Sequence, residues 1–235
     1  MTAGTLWGLG AGPGDPELLT LKAHRILQAC PVIAYPAPLE GASLARAIVA
    51  PHLQPGRVEI AIRMPLEANR FPASEVYDRA AAEIAGHLEA GRDVAVLCEG
   101  DPFFYGSFMY LYGRLAREHR VVVVPGVTSL VACACAAGAP LAARDDVLVV
   151  LPATLPEDTL VARLADAEAA AIIKVGRHLA KVRRALVRLG LASQARLVEH
   201  ATMADQRVRP LGEVEAAEVP YFSMVLMHRR GEAWR

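Results

Sequence analysis

Two carboxylates and four aromatic rings follow directly on an apolar run in the segment Cys98–Phe108, which reads CEGDPFFYGSF. The preceding residues 93–97, DVAVL, predict a buried strand. Ligands of open α/β sheets bind at the carboxyl ends of strands, so Glu99 and Asp101 occupy a position typical of a binding or acid-base group. Asp101 equally suits the N-cap of a helix that begins at Pro102.

A glycine-rich turn, GLGAGPGDP over residues 8–16, leaves the first predicted strand. It does not match a dinucleotide fingerprint, because Pro13 stands where the third glycine is needed and the second predicted strand, residues 31–35, runs into prolines without a ribose-binding acid. A helical-period stretch over residues 17–29 follows this turn, and Asp15 and Glu17 disfavour a phosphate at the start of that helix. Asp15 before a proline is also an ordinary helix N-cap.

A third turn, VPGVTS over residues 124–129, joins another predicted strand to a helix of small residues. Thr128 or Ser129 can cap that helix or offer a hydroxyl group to a ligand. The chain has no G-x-S-x-G motif, so these turns favour a transfer reaction driven by positioning. A sulfonium methyl donor fits, because it carries no phosphate and its positive charge tolerates nearby acidic groups.

Composition narrows the classes of protein. Lys plus Arg and Asp plus Glu both number 25 among 235 residues, so no excess charge attracts nucleic acid. The four cysteines form no C-x-x-C pair and the seven histidines no zinc motif, which favours buried thiols and predicts no metal. No apolar run is long enough to span a bilayer and no signal peptide is visible, so a cytoplasmic protein without a membrane partner is expected.

Short β-branched runs alternate with helical-period stretches, which predicts an α/β fold with mainly parallel sheets. The second half shows less helix between its last strands, and its polar segment 203–218 predicts a short extra strand in a mixed sheet. We place the domain boundary between residues 118 and 119, giving an N-terminal domain 1–118 and a C-terminal domain 119–235.

The three turns, in this order, resemble the tetrapyrrole methylases, and the resemblance covers essentially the whole chain. It is carried by GLGAGPGDPELLTLKA, CEGDPFFYGSFMYL, VPGVTS, LPATLPEDTL, AIIKVGR, VEHATM and YFSMVLM. It implies two α/β domains with a ligand cleft between them, S-adenosylmethionine as methyl donor, and a homodimer. Apolar residues 130–138 and 224–227 suit a dimer interface and a core equally well.

The resemblance also implies which residues contact the donor. These are Pro13, Glu99, Gly100, Asp101, Phe104, Thr128, Ser129, Val175, Ala201 and Met203. No residue is expected to be covalently modified, and Glu99, Asp101 or Tyr105 at most helps to remove a proton after transfer.

Within the family, CEGDPFFYGSFMYL implies precorrin-2 as the acceptor, methylated at its C20 bridging carbon in cobalamin biosynthesis. Precorrin-2 bears several carboxylates, which arginine binds bidentately. The candidates for substrate binding are Arg63, Arg70, Arg144 and Arg177, with Arg207 and Arg209 also in polar segments.

Three alternatives stay open at this point. The same fold can act on the cobalt-containing intermediate or methylate another ring position. A non-catalytic nucleoside-binding module would use the same glycine turns for sensing. A nicotinamide oxidoreductase is disfavoured by Pro13 and by the missing ribose acid.

Overall fold

The computed structural model describes residues 3–64, 74–215 and 218–231. The chain divides into two compact units, Met1–Thr128 and Ser129–Arg235. This division falls later than the predicted boundary between residues 118 and 119. The reason is that the strand Val121–Val124 pairs in parallel with the first strand of the chain, so it belongs to the first sheet.

The first unit alternates strands and helices along the chain, as predicted. Its elements are β1 (Leu6–Gly10), α1 (Leu21–Ala29), β2 (Val32–Pro38), α2 (Leu44–Val49), β3 (Val58–Met64), α3 (Ser74–Glu89), β4 (Val94–Cys98), α4 (Phe108–Leu115) and β5 (Val121–Val124). The five strands form one sheet in the order β3-β2-β4-β1-β5, and every pairing is parallel. All five carboxyl ends therefore meet at one edge of the sheet.

The turn between β1 and α1 contains two capped segments instead of the single helix predicted to begin at Glu17. Asp15 accepts a hydrogen bond from the N–H of Glu17 and caps a 3₁₀ turn over Pro16–Leu18. Thr20 then accepts from the N–H of Ala23 and caps α1. Each oxygen satisfies a backbone donor that the first helical turn leaves unpaired.

Apolar side chains bury both faces of the first sheet. One face packs against α3 and α4, and the other against α1 and α2. Phe108 is 1% exposed, and its ring lies where a Cβ atom on Gly8 would sit, 2.5 Å from ring carbon Cε1. A glycine at this point of β1 thus lets α4 pack close to the sheet.

The second unit carries a mixed sheet, as the sequence predicted. Its elements are α5 (Ser129–Ala137), β6 (Leu148–Pro152), α6 (Glu157–Leu164), β7 (Ala169–Ile173), α7 (Leu179–Arg188), β8 (Ala195–Glu199), β9 (Arg207–Pro210) and β10 (Ser223–His228). The strand order is β6-β7-β10-β8-β9, with β10 antiparallel to both neighbours. Consequently β7 and β8 run in the same direction, and their carboxyl ends lie at the same edge.

The apolar stretches 130–138 and 224–227 contribute to the core of the second unit. Ala132, Cys133, Met224 and Leu226 are all at most 7% exposed and belong to one cluster. Both stretches therefore have a structural role within the unit, which is sufficient to explain their composition.

Among the residues that the structure describes, no helix is both long and apolar enough to cross a membrane. The same residues contain no group of three or more His, Cys, Asp or Glu side chains that could hold a metal ion. Three of the four cysteines are buried as expected, whereas Cys135 is exposed on α5.

Candidate functional site

Three turns meet in the first unit at the carboxyl ends of adjacent strands. The turn after β1 pairs with the turn after β4 through an antiparallel bridge between Gly12 and Gly100. The N–H of Gly100 donates to the carbonyl oxygen of Gly12 at 2.8 Å. The N–H of Ala11 donates to the carbonyl oxygen of Cys98, also at 2.8 Å. The turn after β5 joins them through Gly126, which packs against the backbone of Gly10 and Gly100.

Glycine is required where these turns touch. A Cβ atom on Gly126 would lie 2.1 Å from the carbonyl oxygen of Gly100, and one on Gly10 would lie 2.4 Å from the Cα atom of Gly126. Both contacts involve backbone, which cannot move aside as a flexible side chain can. We call this the glycine surface, formed by Gly10, Gly12, Gly100 and Gly126.

Asp101 holds two of the turns together. One carboxylate oxygen accepts hydrogen bonds from the N–H groups of Phe103 and Phe104 at 2.9 and 3.1 Å. The other accepts from the N–H of Gly126 at 3.0 Å. Asp101 therefore caps the turn that follows it, but the helix begins at Phe108 and not at Pro102. Because backbone N–H groups engage both of its oxygens, this carboxylate suits a positioning role better than proton removal.

Glu99 lies beside the glycine surface in a different environment. One of its carboxylate oxygens accepts a hydrogen bond from the N–H of Ala45, near the start of α2, at 3.3 Å. Burial raises the pKa of the Glu99 carboxyl above its usual range. The two neighbouring acids therefore differ, with Asp101 engaged by three N–H groups and Glu99 partly desolvated.

Aromatic side chains follow the second turn, as the sequence analysis predicted. The rings of Phe104 and Tyr105 meet edge to face with centroids 5.2 Å apart. Tyr105 is 46% exposed and Phe103 is 49% exposed, so both present ring surface to solvent. Pro13, in the first turn, is buried next to the glycine surface.

In the second unit, three predicted donor contacts lie at the carboxyl edge of the sheet. Val175 follows β7 and is fully buried, whereas Ala201 and Met203 follow β8. The N–H of Met203 donates to the carbonyl oxygen of His200 at 2.9 Å, which closes a tight turn around Ala201.

Backbone strain is concentrated at the predicted site residues. Among the described residues, the non-glycine residues with positive φ are Tyr105, Arg144, Lys174, His200 and Thr202. Each is a predicted site residue or lies next to one. Such conformations cost about 1 to 3 kcal/mol each and persist where function or the surrounding structure requires them.

The remaining predicted residues lie at more exposed positions. Thr128 is half-buried before α5, and Ser129 is exposed at its start. Arg63, Arg144 and Arg177 are exposed, while Arg70 lies outside the described residues.

The two further arginine candidates lie on β9. Arg209 forms an ion pair with the buried Glu199 at 2.7 Å, and this accounts for its position. Arg207 is exposed.

Sequence reasoning did not single out Gly126, although the structure places it in contact with both other turns. The available signal was a glycine two residues after a strand end, in Val124-Pro-Gly. That signal alone does not reveal which neighbouring turn it touches.

A parallel sheet whose turns pack backbone against backbone, with two acids at its carboxyl edge, is an arrangement typical of α/β proteins that bind ligands at that edge. Residues 5–215 match the family described as Tetrapyrrole (Corrin/Porphyrin) Methylases. The chain belongs to this family.

Relatives agree with this assignment. The chain is 47% identical over 232 residues to the precorrin-2 C(20)-methyltransferase of Sinorhizobium sp, covering 95% of each chain. It is 48% identical to the cobalamin biosynthesis protein CobIJ of Mycobacterium tuberculosis (H37Rv), with 95% of this chain and 46% of CobIJ aligned, so it spans about half the length of that relative.

A solved structure has the same fold. Uroporphyrin-III C-methyltransferase from Thermus thermophilus, complexed with S-adenosylhomocysteine, aligns with a TM-score of 0.70 at 26% identity. The alignment covers 95% of this chain and 97% of that one.

The glycine surface predicts a sharp difference between two glycine substitutions. Gly126→Ala places a Cβ atom against the Gly100 carbonyl and is expected to lower the free energy of unfolding by about 2 kcal/mol or more. Gly86→Ala, in the interior of α3 where a Cβ atom meets nothing within 4 Å, is expected to be neutral or to stabilise by up to about 1 kcal/mol. Urea denaturation measures both, and equal effects would contradict the close approach.

The raised pKa of Glu99 predicts a pH-dependent stability difference. Between the usual glutamate pKa and the raised value, the native state keeps a proton that the unfolded chain has lost, so stability falls as pH rises through this window. Glu99→Gln removes this loss and is expected to be about 1 kcal/mol more stable than the wild type at neutral pH, with no gain near pH 4. Urea denaturation of both proteins from pH 4 to pH 8 tests this, and a difference independent of pH would contradict it.

Proposed function

We propose that the protein transfers a methyl group from S-adenosylmethionine to C20 of precorrin-2, giving precorrin-3A and S-adenosylhomocysteine in cobalamin biosynthesis. The observation that carries this proposal is the glycine surface beside Glu99 at the carboxyl edge of a parallel sheet. The 47% identity to the Sinorhizobium precorrin-2 C(20)-methyltransferase supports the acceptor.

The residues of the surface fit such a donor. The close packing of the glycine turns brings main-chain atoms together at the edge of the sheet, and the aromatic rings after Asp101 suit a flat base. A partly desolvated carboxylate at Glu99 favours a positively charged ligand over a phosphate. Bound there, the donor supplies a methyl group on a sulfonium that needs no activation by the protein.

In this proposal the protein acts mainly by holding the donor and the acceptor in position. Asp101 fixes the turns after β4 and β5 relative to each other, so the surface is preorganised before ligands bind. Because Asp101 accepts three hydrogen bonds, Glu99 and Tyr105 are better placed to assist in removing a proton after transfer. The bridging carbon of the acceptor supplies the nucleophile.

The donor contacts predicted in the second unit, Val175, Ala201 and Met203, form part of this proposal, as do Thr128 and Ser129. The ligand cleft between domains, the homodimer and the cytoplasmic location stay predictions.

The direct test is anaerobic incubation of the purified protein with precorrin-2 and methyl-labelled S-adenosylmethionine, followed by NMR location of the label. We expect label on C20. A parallel incubation with cobalt-loaded precorrin-2 measures the alternative acceptor under the same conditions.

Each other outcome of this incubation would contradict the proposal in a different way. Label at another carbon, or turnover only with cobalt, would assign a sibling reaction on the same fold. Donor binding without transfer to either tetrapyrrole would favour a nucleoside-binding module.

Glu99 should discriminate between S-adenosylmethionine and S-adenosylhomocysteine. The sulfur of the first carries a methyl group and a positive charge, whereas the sulfur of the second is neutral. Glu99→Gln is expected to weaken S-adenosylmethionine binding about fivefold, equivalent to about 1 kcal/mol, while S-adenosylhomocysteine binding changes less than about twofold. Isothermal titration calorimetry measures both, with Glu83→Gln on the exposed face of α3 as the matched control. An equal loss for the two ligands would mean that Glu99 acts through shape and not through charge.

A further inference from the structure

A pocket opens at the carboxyl ends of β2 and β3, beside α2. Its volume is about 400 Å³, and its lining includes Tyr35, Gly41, Ser43, Arg46, Ala47 and Arg63. We call it the α2 pocket. It is at the small end of ligand sites, so it has room for part of a large ligand and not for a whole macrocycle.

Two arginines give the α2 pocket its charge. Arg46 binds Glu59 in a bidentate ion pair, with Nε and Nη2 at 3.1 and 3.0 Å from the two carboxylate oxygens. The hydroxyl group of Tyr35 donates to the same carboxylate at 2.8 Å. Glu59 therefore balances the charge of Arg46, whereas Arg63 makes no ion pair within the described part of the chain, so the lining residues together with Glu59 carry one net positive charge.

Arg63 is oriented with part of its donor set unused. Its Nη1 donates to the carbonyl oxygens of Pro38 at 2.9 Å and Leu39 at 3.3 Å. Within the described part of the chain, Nε and Nη2 make no hydrogen bond of their own. These two nitrogens form the edge of a guanidinium that binds a carboxylate bidentately.

The α2 pocket and the glycine surface lie on the same edge of one sheet. The strand order places the pocket at β3 and β2, Glu99 at the end of β4, and the glycine surface at β4, β1 and β5. The hydrogen bond from Ala45 to Glu99 ties the start of α2, which forms a wall of the pocket, to the turn that forms the surface.

We propose that the α2 pocket binds a carboxylate arm of the acceptor, with Arg63 and Arg46 as its charge partners. Glu59 and Tyr35 position the Arg46 guanidinium. The inference rests on the proposed function, because it assigns a subsite for the polycarboxylate substrate of that reaction. Arg63 was predicted from the sequence as one of several candidates, whereas Arg46, Tyr35 and the pocket itself follow from the structure.

The test is the steady-state kinetics of the full chain with precorrin-2 as acceptor. Arg46→Ala and Arg63→Gln are expected each to raise the acceptor KM about tenfold, while the KM for S-adenosylmethionine stays within about twofold of the wild-type value. Gln at position 63 keeps a side-chain donor for the Pro38 and Leu39 carbonyls while removing the charge. Arg79→Ala, an exposed position on α3, is the matched control and should change neither constant.

Arg63→Lys separates charge from geometry. A lysine restores the charge without the bidentate edge, so it should recover part of the acceptor affinity that Arg63→Gln loses. Thermal unfolding of each variant identifies any loss of folded protein, and Arg46→Ala and Arg63→Gln alter different contacts, so each tests the pocket independently.

The outcomes distinguish the two proposals. Wild-type methyl transfer to precorrin-2 with an unchanged acceptor KM in both arginine variants would overturn the α2 pocket and leave the proposed function intact. Absence of transfer by the wild type would overturn the proposed function, and the acceptor subsite with it.

Discussion

The close approach of three backbone turns is the constraint on which the candidate site depends. Parallel pairing places β4, β1 and β5 side by side, so the turns that leave them must share a narrow space. At Gly10 and Gly126 a single added carbon would collide with main-chain atoms. Glycine costs roughly 0.5 to 1 kcal/mol of backbone entropy in a regular element, and the hydrogen bonds between the turns offset that cost here.

Two carboxylates separated by one glycine acquire different properties from this packing. Asp101 lies where three backbone N–H groups converge, and it links the turns after β4 and β5. Glu99 accepts a hydrogen bond from the N–H of Ala45 near the start of α2, and burial removes much of the water around it. Both side chains are carboxylates, so their different surroundings, and not the residue type, explain their different properties. A carboxylate kept in a partly desolvated place at a cost in stability is typical of a functional group.

The sequence supports prediction of the strands better than of the contacts among their turns. β-branched runs marked the strands of the first unit within a few residues, because a parallel strand buries both faces. The start of α1 was misplaced, since Asp15 caps a 3₁₀ turn before Thr20 caps the helix. The bounds of helices α6 and α7 were not predicted, although strands and helices were expected to alternate in the second half as well. Gly126 and Arg46 were missed because their importance comes from neighbours that are distant in sequence.

The carboxyl edge of the first sheet carries two different features, the glycine surface and the α2 pocket. They differ in how easily a substitution can change them. The glycine surface offers few positions that accept another residue, since its contacts are between main-chain atoms. The α2 pocket lies at the edge strand β3, and side chains such as Arg63 and Arg46 determine its charge. Substitutions there alter charge and shape without disturbing the sheet. In a fold arranged in this way, the charge of the pocket can change while the backbone contacts among the three turns stay the same.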